Sequence, residues 1–199
     1  MPETKPKLAV LISGGGRTMV NLAERCRGGT LDAEIAVVIA SRECAGVERA
    51  QELGLPTLVR QGGVTSGELE SLAAMLGFEW ILLAGYLRKL DVPRGFGDRV
   101  LNIHPALLPG DGTAGPFGGP GMYGHRVHAA VIESGATESG CTVHRVTSEY
   151  DAGEVILTRS CPVLPSDTPE SLAARVFELE LEAFPEALKL VLSNARTGA

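Results

Sequence analysis

Nothing in this chain reads as a metal cage or a disulfide framework. Its four cysteines, Cys26, Cys44, Cys141 and Cys161, stand far apart, with no Cys-x-x-Cys pair and no clustering with histidine. Small thiols in a reducing cytosol are the expectation, with no metal. Long apolar runs are missing too: none approaches the ~20 residues of a membrane span. The charged start, Met1 to Lys7, enters a strand-like run at Leu8 without an apolar leader. A soluble, cytoplasmic protein without membrane contact is expected. Basic stripes are equally scarce. With 18 Lys and Arg against 24 Asp and Glu, the net charge is −6, which argues against a nucleic-acid backbone as partner. A small phosphate stays within reach, because backbone N–H groups bind anions whatever the net charge.

What is present is enough chain for a full core. A domain of 199 residues buries roughly 70% of its unfolded surface. Leu8–Ser13, Ala33–Ala40, Leu55–Val59, Trp80–Ala84 and Arg99–Ile103 are short apolar runs that read as buried strands. Helical spacing falls between them, over Thr18–Cys26, Gly46–Leu53 and Glu68–Leu76, with residues 61–67 as loop. Continuous apolar strands alternating with helices predict an α/β fold: one domain, Rossmann-like, with a mostly parallel central sheet and helices on both faces.

The pattern changes after His104. Residues 110–121 (GDGTAGPFGGPG) hold too much glycine and proline for helix or strand, and suit either a plain surface loop or a lid. A helix over Tyr123–Ser134 follows, then two strands, Cys141–Thr147 and Val155–Val163, around an Asp151-Ala152-Gly153 turn. The last helix starts near Asp167 or Thr168, with Pro169 in its first turn, and runs to about Leu192.

Three segments could carry chemistry. Ser13 to Thr18 (SGGGRT) joins the first strand to the first helix. Glycines there let N–H groups turn toward an anion at a helix N-terminus. A nucleoside-triphosphate loop is excluded because no Gly-Lys-Ser/Thr follows, and a dinucleotide fingerprint because the third glycine is missing. A single phosphate remains the better occupant, with Gly15, Gly16, Arg17 and Thr18 as donors. In LNIHPALLP (101–109), Asn102 and His104 lie two apart at a strand end, so both project to one face. That carboxyl end is where parallel sheets place ligands. An amide beside an imidazole suits a developing oxyanion. Asp151 is a turn former on its own, but a carboxylate close to His104 favours imidazolium and raises its pKa.

These segments, with LAGYLRKL at 83–90 and GCTVHRVTSEYDAGEVI at 140–156, occur in the order of the folate-dependent formyltransferases, which the chain resembles over about residues 7–190. The resemblance implies formyl transfer from 10-formyltetrahydrofolate to the amine of phosphoribosylglycinamide, by a monomer or homodimer. It implies a phosphate-binding half over about 7–100 and a catalytic, folate-binding half over about 101–192. Asn102, His104 and Asp151 would be catalytic: the first two hold the oxyanion, and Asp151 keeps His104 charged. Folate would lie on Leu87, Arg88, Lys89 and Leu90 and on Thr147, Ser148, Glu149 and Tyr150. Phosphate would lie on Gly15 to Thr18, and the ribonucleotide on Glu180.

Departures bear on the acceptor more than on the transfer. Arg17-Thr18 stands where the family usually has Ser/Thr-Asn, and Phe177 where it has glutamine. The family's folate-contacting arginine has no clear counterpart between Gln61 and Leu76. Another phosphorylated amine, a sugar nucleotide, hydrolysis of formyltetrahydrofolate, or an inactive binding module remain the alternatives.

Overall fold

The computed structural model describes residues 5–197, with side chains through 195. The apolar run at the start forms β1 (Lys7–Ile12), buried from Leu8 onward. It pairs in parallel with β2 (Glu34–Ala40) on one side and β4 (Trp80–Leu83) on the other, and β2 pairs in parallel with β3 (Thr57–Val59). With β5 (Val100–His104), β6 (Glu138–Arg145) and β7 (Val155–Pro162) they make a seven-stranded sheet in the order β3-β2-β1-β4-β5-β6-β7. β6 and β7 are antiparallel, from Glu138 opposite Pro162 to His144 opposite Val155. The register slips between Val143 and His144. Such an irregularity re-aims the side chains beside it.

Five helices complete the fold: α1 (Arg17–Arg27), α2 (Ala45–Glu52), α3 (Ser66–Leu76), α4 (His125–Glu133) and α5 (Pro169–Thr197). α3 starts two residues before the expected Glu68 because Thr65 and Glu68 form a capping box, each side chain bonding the other's N–H. β3 begins at Thr57, after Pro56 has removed a donor. β6 begins at Glu138 and ends at Arg145, earlier at both ends than the Cys141–Thr147 expected. α5 runs past Leu192 to Thr197 and accommodates Pro185 within it. At its start, Thr168 Oγ1 accepts from Ser171 N–H at 3.3 Å, while Asp167 binds Arg175 through both oxygens, at 2.7 and 2.9 Å.

Contacts divide the chain into two units. One runs through Leu101 and takes up the chain again from Lys189; the other is Asn102–Leu188. The first has its core in β1, β2 and β4, where Leu8, Leu11, Ile12, Ile39, Ile81 and Leu82 are fully buried. The second buries Val127, Val143, Leu172 and Phe184.

Candidate functional site

In the second unit, the end of β5 and the turn after β6 bring Asn102, His104 and Asp151 together. Asp151 Oδ2 lies 3.6 Å from His104 Nδ1, and Asp151 Oδ1 lies 3.4 Å from Asn102 Nδ2. Gly119 N–H donates to Asp151 Oδ2 at 2.9 Å. His104 is buried, at 3% exposure, and its Nε2 donates to the Phe117 carbonyl at 2.7 Å. His144, buried on β6, is a fourth member that no sequence motif marks. Its Nε2 lies 3.0 Å from Asn102 Nδ2 and 3.5 Å from Asp151 Oδ1.

The chain makes local concessions to hold this cluster. Asp151 has φ +51°, the one non-glycine residue at positive φ among the described residues. Left-handed backbone costs on the order of 1 kcal/mol and concentrates at functional sites. Two residues on, Gly153 lets the hairpin close: a Cβ there would stand 1.8 Å from the Arg145 carbonyl oxygen. The segment after His104 is pinned to β6 by Thr142, whose hydroxyl donates to Ala106 O at 2.7 Å and accepts from Leu108 N–H at 3.0 Å.

Electrostatics depart from expectation at one point. Burial lowers the pKa of His104, and this outweighs the raising effects of Asp151 and of the Phe117 carbonyl. The expected rise is therefore a fall. The family resemblance implies the neighbouring charge, whereas nothing in the sequence gives the depth of burial. Burial alone would push Asp151 up, but His144, His104 and the Gly119 N–H together hold it below the usual carboxylate value. His128, on α4, is pushed down to about 4 chiefly by burial, with smaller contributions from its neighbours His104 and His125. Its Nδ1 is buried without a hydrogen-bond partner.

The first unit holds the glycine loop. Gly16 is the residue before α1, at φ +69°, and no side chain caps that helix. Gly15 and Arg17 are exposed, whereas Gly16 and Thr18 are buried. The loop carbonyls are held from behind: Ser13 O accepts from Arg42 Nε at 2.8 Å, Gly14 O from Gly46 N–H at 3.0 Å, and Gly15 O from Arg49. Ser13 Oγ accepts from Leu87 N–H at 2.9 Å, fixing the start of the 87–90 segment. Leu87, Arg88 and Lys89 are exposed there, and Leu90 is buried. In the second unit Thr147, Ser148, Glu149 and Tyr150 are all exposed, and Thr147 Oγ1 accepts from Glu149 N–H at 3.3 Å. Glu180 is half-buried on α5, close enough for its charge to help raise the Cys141 thiol, which burial pushes up to about 12. Among the described residues, no group of three or more His, Cys, Asp or Glu side chains could hold a metal ion. No helix there is long and apolar enough to cross a membrane.

The formyl transferase family model matches residues 6–188, and the chain belongs to that family. A chloroplastic phosphoribosylglycinamide formyltransferase of Arabidopsis thaliana is 39% identical over 92% of the chain. The chain spans 64% of that relative's length. A phosphoribosylglycinamide formyltransferase of Haemophilus influenzae is 34% identical over 92% of the chain and 85% of its own length. Among solved structures, glycinamide ribonucleotide transformylase 1 of Symbiobacterium toebii superposes with a TM-score of 0.85, at 33% identity, over 96% of this chain and 89% of that one.

Proposed function

We propose that the chain transfers the formyl group of 10-formyltetrahydrofolate to the amine of phosphoribosylglycinamide, giving the formylated ribonucleotide and tetrahydrofolate, a step of de novo purine synthesis. The observation that carries this reading is one partly buried carboxylate, Asp151, within reach of both Asn102 and His104. An amide and an imidazole gathered beside a shared anion are suited to a carbonyl that becomes a tetrahedral oxyanion. The Phe117 carbonyl accepts from His104 Nε2, the N–H that a formyl oxygen would need in this reading. The loop of residues 110–121 therefore acts as a cover that withdraws that carbonyl when folate enters.

The amine nitrogen attacks the formyl carbon, its bond to that carbon forms, and the carbon–N10 bond of the folate breaks. The amine's proton ends on N10, by way of His104 or a water. His104 rests with its pKa lowered by burial; it becomes imidazolium by taking the proton that the attacking amine sheds, and the negative charge growing on the formyl oxygen favours that charged form. Asp151, held ionised, stabilises that charge and fixes the ring. In this reading charge stabilisation comes from these side chains.

Gly15, Gly16, Arg17 and Thr18 hold the acceptor's phosphate, and Glu180 its ribose. Folate lies on Leu87 to Leu90 and on Thr147 to Tyr150. The protein works in the cytoplasm, as a monomer or homodimer.

Spectrophotometric deformylation of 10-formyltetrahydrofolate, with and without phosphoribosylglycinamide, tests the reading. Turnover that depends on the ribonucleotide supports it. Turnover without any acceptor would make the protein a hydrolase, and no turnover with either would remove this acceptor.

A further inference from the structure

His144 is 2% exposed and lies on β6, at the point where the register with β7 slips. Its Nδ1 lies 2.9 Å from the carbonyl of the next residue, Arg145. A carbonyl only accepts, so Nδ1 carries a proton and donates. The other nitrogen, Nε2, faces Asn102 Nδ2 at 3.0 Å. With the neutral ring's one proton on Nδ1, Nε2 has only its lone pair to offer, so it accepts from the amide, and Asp151 Oδ1, 3.5 Å from the same nitrogen, is not hydrogen-bonded to it. The same Asn102 nitrogen points at Asp151 Oδ1 at 3.4 Å, a second acceptor. Rotating the amide by half a turn would set its oxygen against a carboxylate oxygen and an imidazole lone pair. Two acceptors on one side thus leave the amide a single orientation.

The two bonds are unequal. At 3.0 Å the one to His144 is well formed; at 3.4 Å the one to Asp151 is long and weak. We infer that His144 is a positioning residue: through its Nδ1-protonated tautomer it clamps one N–H of Asn102 and leaves the other, loosely held on Asp151, free to turn onto the formyl oxygen. This rests on the proposed role of Asn102. The Arg145 carbonyl sets the tautomer, the tautomer sets the amide, and the amide presents the donor. An acceptor alone is required at Nε2, not a charge.

Two measurements test this. The first is ¹⁵N NMR of histidine-labelled wild-type protein at mildly alkaline pH, which reads the tautomer directly. His144 should carry its proton on Nδ1, and a proton on Nε2 would overturn the inference. The second compares His144→Phe, which has no acceptor, with His144→Gln, whose side-chain oxygen reaches nearly the same place. His144→Phe should lower kcat on the order of 10- to 100-fold, with KM for both substrates changed little. His144→Gln should recover most of that loss. In an Asn102→Ala background, His144→Phe should cost nothing more, since there is no amide left to aim. Additive losses in that background, or equal losses in the Phe and Gln variants, would make His144 a packing residue. If Asn102→Ala alone keeps wild-type turnover, the proposed role of Asn102 fails first, and the inference with it. The NMR result stands even if a variant does not fold.

Discussion

At residues 13–15 three consecutive main-chain carbonyls accept, from the Arg42 and Arg49 side chains and from the Gly46 N–H, so the loop before α1 is held through its carbonyls and not through its own side chains. Around Asp151 the arrangement is inverted. The partners there are chiefly side chains, Asn102, His104 and His144, joined by two main-chain groups, Gly119 N–H and Phe117 O. The difference teaches where each region is fragile. A loop held through its carbonyls tolerates changes of its own side chains and is broken by added atoms. A side-chain cluster is broken by removing one functional group. Under the proposed function the first would govern how tightly an anion is held, the second how fast a carbonyl reacts.

The largest effect should follow from altering the shared carboxylate. Asp151→Asn keeps the shape but removes the charge, and it offers His104 and Asn102 one oxygen where there were two. Turnover should fall at least about a hundredfold, as for loss of one oxyanion donor, with circular dichroism unchanged. His104→Ala should do the same. Wild-type-like kcat in either variant would remove the mechanism.

Adding one carbon tests the other region. Gly46 lies in the first turn of α2, and a Cβ there would stand 2.7 Å from both Gly14 O and Ile12 Cδ1. Helix propensity predicts that Gly46→Ala stabilises by roughly 0.5–1 kcal/mol. The clash is with backbone and a buried side chain, so overpacking should win, destabilising by about 1–3 kcal/mol. KM for the ribonucleotide should rise more than kcat falls. Denaturant unfolding gives the sign, and a stabilised variant would show the loop to be looser than its hydrogen bonds imply.

These two regions also differ in how far sequence discloses them. LAVLIS, AEIAVVIA and WILLA announce a parallel sheet because strands buried on both faces lose the polar alternation of half-exposed ones. Asn102 and His104 are legible because residues two apart on a strand share a face. His144 is not legible. Between buried Val143 and half-buried Arg145 it has the pattern of a core histidine, and only the adjacency of β5 and β6 sets it against Asn102. The Phe117 carbonyl has no signature at all, since every residue carries one. The fall in the His104 pKa was hidden because burial is a property of the fold. Thr65 and Glu68, by contrast, have capping-box spacing that reading 61–67 as loop overlooks.

His128 gives a smaller effect, in stability. Its folded pKa, about 4, lies below the ordinary 6.5, so on acidification the unfolded chain binds the proton first. Stability from this group is complete above 6.5 and is lost as pH falls toward 4. Allowing for partial solvent screening, the loss is about 1–2 kcal/mol. His128→Phe should flatten unfolding free energy against pH across that window. His104, whose pKa is also lowered, leaves a residual slope of the same sign.

The smallest expected effect lies in the glycine loop, and it tests the comparison most finely. Arg49 is exposed and donates to the Gly15 carbonyl, whose negative end would otherwise be free to turn toward a bound phosphate. Arg49→Met keeps the apolar stem and loses the donor. KM for the ribonucleotide should rise by about two- to fivefold, within 1 kcal/mol, as for other exposed charged contacts, while kcat stays put. Arg49→Lys separates the two ways the residue could act. If the brace matters, lysine behaves like methionine, because a single ammonium does not reproduce the planar fork. If only the charge matters, lysine restores KM, and the remaining advantage shrinks as salt is added. A fall in kcat for Arg49→Met as deep as that for Asp151→Asn would mean that the loop shapes the reacting carbonyl as well as the anion, and the division of labour between the two regions would be wrong.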